Sequence, residues 1–242
     1  MKFDQPPKAQ SKIGKHEDAV AELSRPEKEA RLQTLRREID SWGDGLGYRM
    51  DERIKDAVAI FNVMGLTTSA SCEGHYDEEG FPAPWIDVQA LDEPKWRFEH
   101  EEEIYEKVAR KYKIPVEDVL RMRNKKAWKL AVRLSDREEE TAEFKKWHEE
   151  NEKLFMKMES LLQEFYIARN ILDEVRIVAD KYDAIFRVHN GGKFFIFSAD
   201  EERLKEELTE EDRKRIPEVL RTCQAEMNLF VEFLKTKYFS TI

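Results

Sequence analysis

Thr67-Thr68-Ser69-Ala70-Ser71-Cys72-Glu73-Gly74-His75 brings hydroxyls, a thiol, a carboxylate, an imidazole and a glycine into one short passage, and Pro84-Trp85-Ile86-Asp87-Val88 follows soon after. Three kinds of chemistry suit that set. Cys72 and His75 have the C-x-x-H spacing that holds two sides of a zinc ion, but a closed structural site needs four donors and a catalytic one usually three. Glu73, Asp77, Glu78 or Glu79 would have to complete it, so no metal is expected. The same pair could serve as a thiol nucleophile and its base, which requires a third group to orient the imidazole, and Asp87 is the candidate for that. Alternatively, the hydroxyls of Thr67, Thr68, Ser69 and Ser71 with the Gly74 amide could hold the polar or phosphate groups of a ligand. Against all three stands a buried turn with Cys72 and Thr68 as core residues.

The elements that must present this passage can be read on either side of it. Asp51 is placed to cap a helix whose apolar stripe is Ile54, Ala57, Val58 and Phe61, and Gly65 marks its stop, so a short polar strand is expected next. Trp85 to Ala90 alternates, with Ile86, Val88 and Ala90 on a core face and Trp85, Asp87 and Gln89 on the other. Further on, Val175 to Ala179 reads as a strand. Ala184 to Ser198 reads as a hairpin turning at His189-Asn190-Gly191-Gly192-Lys193. Ala184, Phe186, Val188, Phe195 and Phe197 would share its core face, leaving Arg187 and His189 on the opposite one.

Residues 1–23 are polar and proline-containing and are expected to form a mobile arm ahead of a single domain over 24–242. Ser24 and Glu27 form a capping box for a helix with stripe Leu32, Leu35, Ile39 and Trp42, which ends at Gly43-Asp44-Gly45-Leu46-Gly47. That loop lacks the Gly-Lys-Ser/Thr ending of a phosphate-binding P-loop, so it is read as a joint. A helix with Ile104, Val108 and Tyr112 on its stripe precedes a fresh one after Pro115. Ser135 and Glu138 are read as the capping box of a long helix carrying Phe144, Trp147, Asn151, Leu154, Phe155, Met158, Leu161, Leu162 and Phe165. After Asp200 the chain reads as helical again, with Thr209 as a cap and Pro217 near the start of the last helix, whose stripe of Leu220, Cys223, Met227, Phe230 and Leu234 makes Cys223 a core residue.

Charge divides the function classes. The chain of 242 residues is 38% charged with a formal net charge of −9, a balance that disfavours non-specific nucleic-acid binding. The segment 107–133 reverses it locally, with ten basic residues against Glu117 and Asp118. Trp128 lies there among Lys125, Lys126, Lys129 and Arg133, an arrangement suited to phosphate contact and base stacking. The acidic run Glu138-Glu139-Glu140 follows at once, and internal neutralisation is the expectation. Two cysteines argue against a disulfide framework, no apolar run is long enough for a membrane span, and the opening residues lack the apolar centre of a secretion signal. A cytoplasmic setting without membrane contact is expected.

Asp51-x-x-Ile54, Val58, Asn62 and Thr67-Thr68-Ser69-x-Ser71-Cys72-x-Gly74 resemble the helix-to-strand signature of the tRNA wybutosine-synthesis methyltransferase family, over about 25 residues. That family has Thr-Thr-Ser-Ser-Cys-Ser-Gly-Arg there; this chain has an inserted alanine, and Glu73 and His75 in place of Ser and Arg. The chain is also similar to uncharacterised bacterial and phage proteins with a Thr-x-x-Ser-Cys-Glu-Gly-His passage, then Pro-Trp-hydrophobic-Asp, then a Leu-Leu-x-Glu-Phe-Tyr-x-x-Arg helix. These correspond to Thr68–His75, Pro84–Asp87 and Leu161–Arg169. The resemblance implies a shared site rather than a chance turn.

The expected fold is α+β: a small, mainly antiparallel sheet covered by helices, with a long amphipathic helix and a C-terminal helix. The expected function is an intracellular ligand-binding protein, or an enzyme, acting on a nucleotide-like or nucleic-acid-derived substrate. Cys72, Glu73 and His75 are the catalytic candidates. Ser69, Ser71 and Gly74 are expected to bind ligand, with Trp85 and Asp87 as walls and Arg169 and Arg187 as candidate anion contacts. The alternative is a protein-interaction module in which the passage is a structural turn.

Overall fold

A computed structural model describes residues 23–42, 49–75, 83–190 and 209–240. In chain order the elements are α1 (Arg25–Ile39), a 3₁₀ turn (Glu52–Ile54) running into α2 (Lys55–Val63), β1 (Thr68–Cys72), β2 (Trp85–Val88), α3 (Glu101–Tyr112), α4 (Val116–Leu120), α5 (Lys125–Ser135), α6 (Ala142–Tyr166), β3 (Val178–Tyr182), β4 (Ile185–His189) and α7 (Glu210–Ser240). The fold is α+β. The described chain forms two compact units: residues 92–150, and the described residues before 92 together with those after 150.

The larger unit is built on a four-stranded sheet of order β1-β2-β4-β3, antiparallel at every pairing. Ile86, Val88, Phe186 and Val188 project from one face and are fully buried. They share a core with Leu35 and Ile39 of α1, Val58 and Phe61 of α2, Met158, Leu162 and Phe165 of α6, and Phe230 and Leu234 of α7. Each large apolar side chain so buried contributes roughly 1.5–3 kcal/mol. Aromatic edges lock the layers: Phe155 meets Phe186 at 5.4 Å between ring centroids, and Phe61 meets Phe230 at 6.2 Å.

Local signals account for most boundaries. Glu27 accepts from the Ser24 N–H at 2.8 Å, completing the capping box of α1. Gly65, at φ 75°, ends α2, a conformation that costs a residue with a Cβ. The Leu66 N–H then returns to the Phe61 carbonyl at 2.9 Å and starts the chain toward β1. Thr209 caps α7, its hydroxyl accepting from the Asp212 N–H at 3.1 Å, and Cys223, Met227, Phe230 and Leu234 form its buried stripe.

Several boundaries differ from the sequence expectation: β3 runs Val178–Tyr182 rather than 175–179, and α7 starts at Glu210, so that Pro217 lies inside it rather than near its start. α6 starts at Ala142, capped by Thr141, whose hydroxyl accepts from the Phe144 N–H at 3.1 Å; Ser135 is instead the buried last residue of α5. At 25 residues α6 is roughly 37 Å long. The hairpin formed by β3 and β4 turns at Asp183 and Ala184, with Asp183 at φ 54°. Of the turn expected at His189-Asn190-Gly191-Gly192-Lys193, His189 ends β4 and residues 191–193 lie outside the described residues, as do the glycine loop at 43–47 and residues 1–22 of the expected arm.

The smaller unit holds the basic segment 107–133. Tyr105, Val108, Ala109, Val119, Ala127 and Ala131 form its core, and Asn124 caps α5 by accepting from the Ala127 N–H at 3.1 Å. No helix among the described residues is long and apolar enough to cross a membrane.

Candidate functional site

β1 delivers the polar passage from a buried anchor to an open end. At the anchor, Asn62 on α2 donates to the Val58 carbonyl and to the Thr68 hydroxyl, both at 2.8 Å. Thr68 is thereby a structural residue, and its hydroxyl is engaged before any ligand could claim it. Cys72, the last residue of β1, pairs with Trp85. Gly74, at φ 82°, then turns the chain so that His75 comes back beside the strand end.

Asp51 meets His75 there. It occupies the N-cap position of the 3₁₀ turn, but its carboxylate makes no capping bond to that turn. Asp51 Oδ2 lies 3.2 Å from His75 Nε2 and accepts from the Glu73 N–H at 3.5 Å. Glu73 does the capping from outside, its carboxylate accepting from the Arg53 N–H at 3.0 Å. The two acids have exchanged duties. One ligand atom from each of Asp51, Cys72 and His75 lies within 4.8 Å of the others.

The Gly74 N–H donates to Cys72 Sγ at 3.3 Å. Burial nevertheless pushes the Cys72 thiol up to about 11, and the carboxylates of Asp51 and Glu73 add to that. At neutral pH the sulfur is therefore a thiol, a weak nucleophile on its own.

From the far end of the sequence, α7 closes one side. Gln224 donates through Nε2 to the carbonyls of Glu73 at 3.0 Å and Gly74 at 3.3 Å, and its side-chain carbonyl accepts from Arg53 at 3.1 Å. An open depression of about 480 Å³ lies here, lined by Arg53, Glu73, Gly74, His75, Leu220, Arg221 and their neighbours. Arg221 is exposed and makes no ion pair among the described residues.

Of the residues singled out from sequence, Cys72, Glu73, Gly74 and His75 come together. Ser69 and Ser71 lie half-buried on β1. Trp85 stands beside Cys72 across the strand pair, but its ring is covered by the Arg187 guanidinium at 3.8 Å from the ring centre. Asp87 is held by Arg187, so it does not orient His75; Asp51 is the carboxylate that does. Arg169 reaches the buried carboxylate of Glu226 at 2.6 Å. Both arginines expected to bind anions are thus engaged internally, and Arg53 and Arg221 line the depression in their place.

The basic face of the smaller unit also departs from expectation. Lys125, Lys126, Lys129 and Arg133 are exposed, with Trp128 half-buried beside them. Among the described residues none of the four makes an ion pair, and Glu140 pairs instead with Arg97 at 2.9 Å.

Compared with protein-family models, with curated proteins and with solved structures, the chain matches none of them.

Proposed function

We propose that this is an intracellular ligand-binding protein whose site, built on the passage Thr67–His75, takes a nucleotide-like ligand through its anionic groups. The observation that carries this reading is the meeting of Arg53, Arg221 and His75 around one depression. Guanidinium groups suit phosphate oxygens because they present several N–H donors in one plane, and Leu220 offers apolar surface for the remainder of a ligand. The resemblance of the passage to a tRNA-modifying family supports a substrate derived from nucleic acid. Two cysteines outside any disulfide agree with a reducing, cytoplasmic setting.

Calorimetric titration with a panel of nucleoside mono-, di- and triphosphates tests the reading. At least one is expected to bind, and Arg221→Ala is expected to weaken it about tenfold or more, since a charged hydrogen bond contributes about 1.5–3 kcal/mol. Failure of the whole panel, or binding indifferent to Arg221→Ala and Arg53→Ala together, would refute it.

A second reading, a protein-interaction module with the passage as a structural turn, is favoured by one observation: Glu73 and Gly74 are tied to Arg53 and Gln224 by hydrogen bonds that need no ligand. Under it Gln224→Ala lowers stability, and neither it nor Arg221→Ala alters small-molecule binding.

A further inference from the structure

We propose that Asp51, Cys72 and His75 form a three-donor site for a divalent transition-metal ion of the zinc class, with its remaining position open to water or to a bound ligand. The donor set is a carboxylate, the Cys72 sulfur, which releases its proton to solvent as it binds the ion, and an imidazole; together they select zinc, cobalt or iron over magnesium and calcium, whose ligands are oxygens. Three protein donors with one position left over is the pattern of catalytic rather than structural zinc.

The geometry is nearly assembled. Donors about 2.0–2.3 Å from a tetrahedral ion stand about 3.5 Å from one another; Asp51 and His75 are already 3.2 Å apart, and all three donor atoms fall within 4.8 Å. Each donor is anchored separately. Asp51 sits at the start of a helical turn, Cys72 is paired to β2, and Gly74 sets the return of His75. Partners outside the donor set hold them in place. The Gly74 N–H points at the sulfur, the Glu73 N–H steadies Asp51, and Gln224 fixes two loop carbonyls. Such surrounding bonds orient ligands and tune an ion's affinity.

His75 lines the depression as well as the cluster, so the open position would face a ligand held by Arg53 and Arg221. That last step rests on the nucleotide reading; the metal site itself does not.

The test uses the full chain, treated with chelator and dialysed, titrated with Co²⁺ alone. One ion per chain should bind, giving the visible absorption of tetrahedral cobalt and a sulfur-to-cobalt charge-transfer band, both abolished by Zn²⁺. Cys72→Ser should lose the charge-transfer band. His75→Ala, at an exposed position that leaves the fold intact by circular dichroism, should weaken Zn²⁺ more than about tenfold, because loss of a supporting bond alone costs about 10–100-fold. No saturable cobalt binding, or binding unchanged in His75→Ala, would overturn the proposal. Nucleotide titrations with and without Zn²⁺ separate the two readings: nucleotide binding without any metal binding sinks this one and spares the other, and metal binding without nucleotide binding does the reverse.

Discussion

Asp87 and Arg187 stand opposite each other on β2 and β4 and are joined twice, Arg187 Nε to Asp87 Oδ1 at 2.5 Å and Arg187 Nη2 to Asp87 Oδ2 at 2.8 Å. The pair is largely buried, with the Arg187 guanidinium 3.8 Å from the Trp85 ring centre and 5.3 Å from that of Tyr182. Its geometry is the two-point fork that arginine forms with carboxylates.

Removing one partner should cost far more than removing both. Asp87→Ala leaves a guanidinium without its counter-charge, and urea unfolding should show a loss of about 3–5 kcal/mol. The double variant Asp87→Leu/Arg187→Met should lose markedly less. Equal losses in the two would mean that the pair contributes only through packing.

Glu73 should prove structural as well as functional. Because its carboxylate caps Arg53, Glu73→Ala should lower stability by about 0.5–2 kcal/mol, the usual worth of a cap. His75→Ala, at an exposed position, should stay within about 0.5 kcal/mol of the wild type. Read from the sequence as polar loop residues of a ligand site, these positions are expected to show little change in stability in His75→Ala and Glu73→Gln, so thermal melts of Glu73→Ala beside those two variants discriminate directly.

Alkaline pH should weaken the fold through Cys223. Burial pushes its thiol up from 9.0 to about 12, so below pH 9 both folded and unfolded chains keep the proton. Between pH 9 and 12 the unfolded chain releases it first, and stability falls as pH rises. Cys223→Ala should be less stable at pH 8 because of the cavity, yet its urea midpoint should decline less steeply from pH 8 to 11. Parallel declines would show that the thiol is not what the alkaline limb reports.

Lys125, Lys126 and Lys129 should be dispensable for folding. They are exposed and unpaired among the described residues, so changing all three to Gln should shift stability by no more than about 0.5 kcal/mol per site. A larger drop in the melting temperature would restore the neutralisation by Glu138–Glu140 that the order of charges in the sequence suggests.

The fold was legible where periodicity and stop signals agree. Gly65 after an apolar stripe announced β1, the alternation from Trp85 to Ala90 identified the buried side of β2, and the spacing of Cys223, Met227, Phe230 and Leu234 marked the inner face of α7. The site was legible only as far as its contiguous part. Asp51 looks like an ordinary cap, because an aspartate before a helical stripe usually is one and nothing local reveals that Glu73 has taken over that bond. Arg221 and Gln224 lie about 150 residues from Glu73, and helical spacing tells which face of α7 is buried but not what packs beside it. Arg187 resembles an anion contact in the sequence because a lone cation on a strand face has no visible partner until the register opposite Asp87 is known.

The exchange of caps between Asp51 and Glu73 bears on how this protein can change over generations. Replacing either acid alone disturbs both the helix start and the loop that carries His75, so a tolerated change at one position should favour a compensating change at the other. The two should drift as a linked pair. Arg221, exposed on α7 and tied to neither bond, carries no such burden, and a lineage could alter it to accept a new ligand while the machinery around Cys72 is inherited intact.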